Sequence, residues 1–148
     1  MKTAEEIMTR KVVTVNKNLP IKELSKLFIQ NRFNGVPVVD DDGNVIGVVT
    51  QGDLIEQNKN LHIPTVITLF DAVLFLDSEK KFESDVKKLT GTKVEDIYHK
   101  HAVSVSPNAN ISEITTLMAE KDVHTLPVLD GEKLVGVIGK RDVIRAMA

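Results

Sequence analysis

Two cations and a carboxylate stand next to one another at the start of a predicted helix. Lys140 and Arg141 directly precede Asp142, and the amphipathic segment DVIRAM begins at that aspartate. The N-terminus of a helix presents free backbone N–H groups and the positive end of its dipole, and Lys and Arg side chains add charge-assisted hydrogen bonds. These residue types at this position predict a binding site for a phosphate group.

His99 and His101 have the spacing of a pair of metal ligands. In a strand, residues two apart lie on one face, so both imidazoles could bind one transition metal ion. Lys100 stands between them, and no cysteine or triplet of carboxylates lies nearby in the sequence to complete a tetrahedral site. We therefore expect solvated surface histidines and no metal.

The composition argues against an enzyme. With no Cys among 148 residues, a disulfide framework, thiolate catalysis and Cys-ligated zinc are excluded. The sequence also has no P-loop, no carboxylate cluster for magnesium and no Ser, His and Asp in a catalytic order. We expect a binding protein that performs no chemical step.

The charge balance and the apolar runs argue against nucleic acid and membrane partners. Nineteen Lys and Arg residues against 21 Asp and Glu give a net charge of -2, which leaves no overall positive field. The longest apolar run, residues 66–76, is interrupted by Asp71 and is shorter than the roughly 20 residues of a membrane span. Because the start MKTAEEIMTR is not a basic stretch followed by an apolar one, it does not have the pattern of a secretion signal, and we expect a cytoplasmic location.

The chain contains two copies of one pattern. Pro37 matches Pro127 at an offset of 90 residues, and Asp53 matches Asp142 at an offset of 89. Each copy has a short β-rich run (residues 12–15 and 102–105), an amphipathic helix, two strands joined by an Asp-Gly hairpin turn, and a final helix. The pattern predicts an α+β fold of two tandem β-α-β-β-α repeats, residues 1–57 and 92–148. Packing of the two with pseudo-twofold symmetry would place related pairs of ligand sites at their seam.

Residues 58–91 form an insert without a counterpart in the repeat. Its first part, residues 65–76, is apolar on nearly every face if helical, whereas residues 79–89 have one apolar stripe and end before Gly91, a typical C-terminal cap. We expect the first helix to be buried, in the seam of a homodimer or against the linker side of the repeats.

The run VIGVVTQGDLI at residues 45–55 resembles the signature of the CBS domain family, and LVGVIGKRDVI at residues 134–144 repeats it. Together with VPVVD and LPVLD, the resemblance covers most of the chain outside the insert. It implies a Bateman module, a pair of repeats that binds adenosine-containing ligands between the copies. Such a module signals energy or metabolite state to a partner protein, and its adenosyl nucleotide is a regulatory ligand, so no cofactor is required.

The resemblance implies roles for the two aspartates. Asp53 and Asp142 would accept hydrogen bonds from the ribose hydroxyls, and Thr50, three positions before Asp53, would add a hydroxyl near the sugar. The second copy has Gly139 in that place. Thr-x-x-Asp is also a relative of the capping box, so a purely structural role at the helix start stays open.

The adenine and the phosphates would have their own binding groups. His124 resembles a phosphate-contacting histidine of the AMP-activated protein kinase gamma subunit and would join Lys140 and Arg141. A flat apolar slot for adenine is predicted from eight strand residues that could equally be sheet core: Val13, Thr14, Val36, Pro37, Val103, Ser104, Leu126 and Pro127.

Two functions remain in competition. The preferred one is a module that binds AMP, ADP, ATP, S-adenosylmethionine or NAD, forms a homodimer and reports to an effector protein whose identity is unknown. The alternative is a dimerisation scaffold with degenerate clefts, which the missing hydroxyl at Gly139 keeps open.

Overall fold

The computed structural model describes residues 1–59, 92–100 and 102–148. The first repeat contains α1 (Ala4–Ile7), β1 (Val15–Asn16), α2 (Ile21–Gln30), β2 (Gly35–Val39), β3 (Val45–Thr50) and α3 (Gln51–Lys59). The second contains a 3-10 helix (Val94–Asp96), β4 (His99–Lys100), α4 (Ile111–Glu120), β5 (Thr125–Asp130), β6 (Lys133–Gly139) and α5 (Lys140–Met147). The helices predicted at residues 65–76 and 79–89, the cap at Gly91, and His101 lie outside the described residues.

A hairpin of two antiparallel strands forms the centre of each repeat. β2 pairs with β3, and β5 pairs with β6, each with a register shift at matching places after Val38 and Val128. The predicted Asp-Gly turns are confirmed, since Gly43 and Gly131 adopt φ angles of 83° and 63°, a region that favours glycine. The internal repeat of the sequence is therefore also a structural repeat, and it includes the register shift within each hairpin.

One amphipathic helix packs on each hairpin. Leu24 of α2 and Ile114 of α4, which are 90 residues apart, are both 0% exposed. Asn110 caps the start of α4, because the Glu113 N–H donates to Asn110 Oδ1 at 2.9 Å, and Asn110 Nδ2 donates to Glu113 Oε1 at 3.3 Å. Each helix therefore buries one apolar face in the core of its repeat.

The prediction that residues 12–15 and 102–105 are strands is largely wrong. Only Val15 and Asn16 pair with β2, in parallel, and in the second repeat Val105 makes a single parallel bridge to Val128. Of the residues before them, Val12 and Val13 line one cavity at the seam, and Ala102 and Ser104 line another, where no neighbouring strand of the described residues is available for pairing.

The leading segment of each repeat packs into the core of the other repeat. Ala4 and Ile7 of α1 are buried in the core built mainly from the second repeat. Val94, 90 residues after Ala4, is buried in the core of the first repeat, and Ile97 packs against it. The backbone follows the same exchange, because the Ala4 N–H donates to the Ala109 carbonyl and the Val94 N–H donates to the Leu19 carbonyl. The two halves are thus interlocked.

The exchanged segments end next to the last strand of the opposite repeat. Thr9 bridges Val137 of β6, and His99 in β4 pairs with Val48 of β3. Gly47 permits the close approach of β4, because a Cβ atom at that position would collide with the carbonyl oxygen of His99. Residues 9 and 99 are therefore placed beside the helices that follow β6 and β3.

Candidate functional site

A cavity of about 610 Å³ lies at the seam of the two repeats. Its apolar wall comes from the first repeat and includes Val12, Val13, Val36 and Pro37. Its polar lining comes mainly from the start of α5 in the second repeat, with further polar residues such as Arg32 and Gln51 from the first. Because both repeats contribute to the lining, the cavity exists only when they are packed together.

The charged side chains around this cavity are almost all basic. The lining contains a single acidic residue, Asp142, together with the following basic ones: Arg32, His124, Lys140, Arg141 and Arg145. The whole chain carries a net charge of -2, so this concentration of cations is local. A site of this kind attracts an anion that also offers donors to one carboxylate.

Asp142 is held rigidly at the first turn of α5. The Gly139 N–H donates to its Oδ2 at 2.8 Å, and the Thr9 hydroxyl donates to its Oδ1 at 2.9 Å. Arg145, one turn later on the helix, approaches the same Oδ1 at 3.5 Å. The aspartate is thus fixed at the helix start and has cationic neighbours on the cavity side.

Asp53 takes the matching position at the first turn of α3. The Thr50 N–H donates to Asp53 Oδ2 at 2.8 Å, and the Asp53 N–H donates to the Thr50 hydroxyl at 3.2 Å. This reciprocal pair is a complete capping box, so the structural role left open by the sequence is present in the first repeat. His99 Nε2 lies 2.6 Å from the other oxygen, Oδ1.

The first cavity brings together half of the fourteen predicted site residues. Seven of them line it: Val13, Val36, Pro37, His124, Lys140, Arg141 and Asp142. A second cavity of about 390 Å³ includes two more, Ser104 and Pro127. The first cavity is thus surrounded by three predicted residues of the first repeat and four of the second.

The other predicted residues are placed differently. Thr14 is exposed and lines neither cavity, and Val103 packs against the core of the second repeat. Leu126 is 0% exposed, so sheet packing accounts for its apolar character without a ligand. Thr50 and Asp53 face each other in their capping box and line neither of these two cavities.

Three residues at the site escaped prediction from the sequence. Thr9 reaches Asp142 only through the exchange of leading segments, which no local pattern reveals. Arg32 reaches the cavity from the end of α2, also across the seam. Arg145 had a usable signal, because a residue three positions after Asp142 lies on the same helix face.

The His99 side chain is 65% exposed, as expected of a surface histidine, and its ring also contacts Asp53. His101 lies outside the described residues. Within the described ranges, no group of three or more His, Cys, Asp or Glu residues could hold a metal ion. Of the helices that are described, none is long and apolar enough to cross a membrane.

The comparison with protein families identifies the class. The model of the CBS domain matches residues 4–60 and 94–148, and the chain belongs to the CBS domain family. The protein MJ1426 of Methanocaldococcus jannaschii is 26% identical over 97% of this chain and 89% of its own length. Other curated relatives are longer, and this chain spans 31% and 42% of the length of two of them.

Solved structures confirm the predicted fold. CBSX2 in complex with AMP has a TM-score of 0.76 and 23% identity, and the match covers 99% of this chain and 96% of that one. The CBS domain pair of MJ0100, in complex with 5′-methylthioadenosine and S-adenosyl-L-methionine, has a TM-score of 0.75 and 17% identity, with coverage of 99% and 100%. The α+β architecture of paired CBS repeats is therefore that of this chain.

Proposed function

We propose that this chain is a regulatory module that binds an adenosine-containing nucleotide in the cavity beside Asp142. The observation that carries the proposal is the placement of one fixed carboxylate among basic side chains, opposite an apolar wall. A nucleotide has three matching parts: a diol that donates, phosphates that accept, and a flat apolar base. No catalytic step is required of the site.

Each part of the nucleotide has its own set of residues in the proposal. The ribose hydroxyls donate to Asp142, where they share Oδ1 with the Thr9 hydroxyl. The phosphates lie near the start of α5, where Lys140, Arg141 and His124 provide donors. The adenine packs against Val13, Val36 and Pro37, whose aliphatic faces take the place of aromatic stacking.

The first repeat offers a weaker set of groups. Asp53 and Thr50 keep the arrangement of the signature, but Gln51 and Gly52 stand where the second repeat has Lys140 and Arg141. Of the adenine contacts predicted for this second position, Ser104 and Pro127 line the second cavity and stay proposed, whereas Val103 and Leu126 pack in the core. We expect it to contribute less to binding of phosphorylated ligands.

The named ligands of similar CBS pairs support the ligand class. CBSX2 is in complex with AMP, and MJ0100 is in complex with 5′-methylthioadenosine and S-adenosyl-L-methionine. All of these ligands contain an adenosine group. The cationic lining in this chain favours the members of the class that carry phosphate.

The module is proposed to act as a homodimer that reports to an effector protein. Large apolar side chains are exposed on the final helices of both repeats, namely Ile55 at 70%, Ile144 at 65% and Met147 at 72%. Such side chains on matching helices support self-association. The proposed cellular location is the cytoplasm.

A ligand panel tests the proposed function against the scaffold alternative. We expect AMP, ADP or ATP to raise the melting temperature of the purified chain, because a ligand that binds only the folded state stabilises it by RT ln(1 + [L]/Kd). S-adenosylmethionine and NAD complete the panel, and GMP controls for phosphate binding without adenine. A flat response across the panel would favour a scaffold with degenerate clefts.

A further inference from the structure

The aspartates at the two helix starts meet different side chains from the exchanged leading segments. At Asp142, the Thr9 hydroxyl donates to Oδ1 at 2.9 Å. At Asp53, His99 Nε2 stands 2.6 Å from the corresponding Oδ1. Thr9 and His99 are 90 residues apart and pair with matching strands, so they hold the same place in the two repeats. One place has a hydroxyl and the other an imidazole.

The imidazole meets the one oxygen of Asp53 that its capping box does not use. Oδ2 accepts the hydrogen bond from the Thr50 N–H. Oδ1 is the atom left for a ligand, and the N–H of His99 is within hydrogen-bonding distance of it. The side chain of Asp53 is 5% exposed, whereas that of His99 is 65% exposed. His99 therefore lies on the solvent side of a covered carboxylate.

A hydroxyl and an imidazole affect an arriving ribose differently. The Thr9 hydroxyl is small, rotates freely and both donates and accepts, so it can share Asp142 with a diol. The ring of His99 fills more space, and its Nε2 already lies 2.6 Å from the carboxylate oxygen that the ribose would need. A ribose at Asp53 must therefore displace the ring.

The backbone of β4 keeps the ring close to Asp53. His99 is paired with Val48, and its carbonyl oxygen lies against the Cα of Gly47. Without movement of β4, only rotation of the His99 side chain can uncover the carboxylate. This position contrasts with that of Thr9, which lines the open cavity beside Asp142.

We propose that His99 is a built-in competitor for the ribose position at Asp53 and determines how many nucleotides the chain binds. This inference rests on the proposed function. The chain binds one adenosyl nucleotide at Asp142, and the place at Asp53 is a latent second site. The residue at position 9 or 99 decides whether the neighbouring aspartate is available.

A reciprocal exchange of the two side chains tests the proposal. Calorimetric titration with AMP should give one strong site per chain in the wild type and two in His99→Thr. Because a ribose could then make its hydrogen bonds to the carboxylate unopposed, removal of the ring should strengthen binding at Asp53 by about 10-fold to 100-fold. Thr9→His should weaken the Asp142 site by a similar factor. Asp53→Asn in the His99→Thr background should remove the added site and leave the other unchanged.

His99→Ala provides a second way to uncover Asp53, and thermal melting verifies that each variant is folded. A wild type with two sites of similar affinity, or one site retained in both His99 variants, would overturn the inference and leave the proposed function standing. No AMP binding by the wild type or by either His99 variant would overturn both. Binding by the His99 variants alone would support the latent site and contradict the assignment to Asp142.

Discussion

Asp142→Ala should weaken AMP binding about 10-fold to 100-fold, because loss of a hydrogen bond to a charged group costs roughly 1.5–3 kcal/mol. In the proposed complex, Oδ1 of this carboxylate accepts from the ribose, whereas Oδ2 accepts from the Gly139 N–H. Asp142→Asn keeps an oxygen for Gly139 and removes the negative charge, so it separates ligand binding from helix capping. Calorimetric titration of both variants measures the loss.

Removal of the ribose hydroxyls from the ligand should have the same effect as the change at Asp142, which makes the test specific to the ribose. AMP and 2′,3′-dideoxy-AMP should differ strongly in their affinity for the wild type and hardly at all for Asp142→Asn, since the two changes remove the same interaction. Glu132→Ala, which removes one exposed negative charge from a hairpin turn, is the matched control. Equal preference for AMP over the dideoxy analogue in wild type and variant would place the ribose elsewhere.

The double variant Lys140→Ala, Arg141→Ala should lose most of the gain in affinity that phosphates provide. In the wild type, we expect affinity to rise from adenosine through AMP to ATP, because both cations stand where α5 presents free N–H groups. Both side chains are exposed and screened by salt, so the expected loss for ATP is about 10-fold to 100-fold at low ionic strength. Adenosine should bind the variant and the wild type equally.

The control for this prediction removes the same charge from another part of the surface. Lys121 and Lys133 are exposed and line neither of the described cavities. Their double replacement with Ala should leave the phosphate dependence unchanged. If the Lys140 and Arg141 variant binds ATP as well as the wild type does, these cations face solvent in the complex, and His124 or Arg32 carries the phosphate.

Much of the fold could be predicted because its determinants are local. The Asp-Gly turns need glycine at positive φ, and Gly43 and Gly131 have it. The helical stripes place Leu24 and Ile114 on the buried face of each helix. Since both copies carry these signals in the same order, the sequence also indicated that a cavity lies between the repeats. It likewise indicated that Lys140, Arg141 and Asp142 are grouped at a helix start.

The remainder depends on contacts between distant segments. The exchange of leading segments joins Thr9 to Asp142 and His99 to Asp53, and neither pair has a signature in the spacing of residues. The runs at residues 12–14 and 102–104 have the composition of strands. Whether a neighbouring strand is available to pair with them depends on how the two repeats pack, which composition does not reveal. For the same reason the sequence could not predict that Arg32 approaches the site of the other repeat.

The most direct test of the central claim is a nuclear magnetic resonance titration of the 15N-labelled chain with AMP. We expect saturable shifts of the backbone amides at the start of α5, residues 139–142, of Thr125 in the neighbouring β5, and of Gly35 across the seam. Weaker shifts with the dideoxy analogue at equal concentration would agree with a ribose on Asp142. Saturable shifts confined to other surfaces, or none at millimolar AMP, would contradict the assignment of this cavity as an adenosyl nucleotide site.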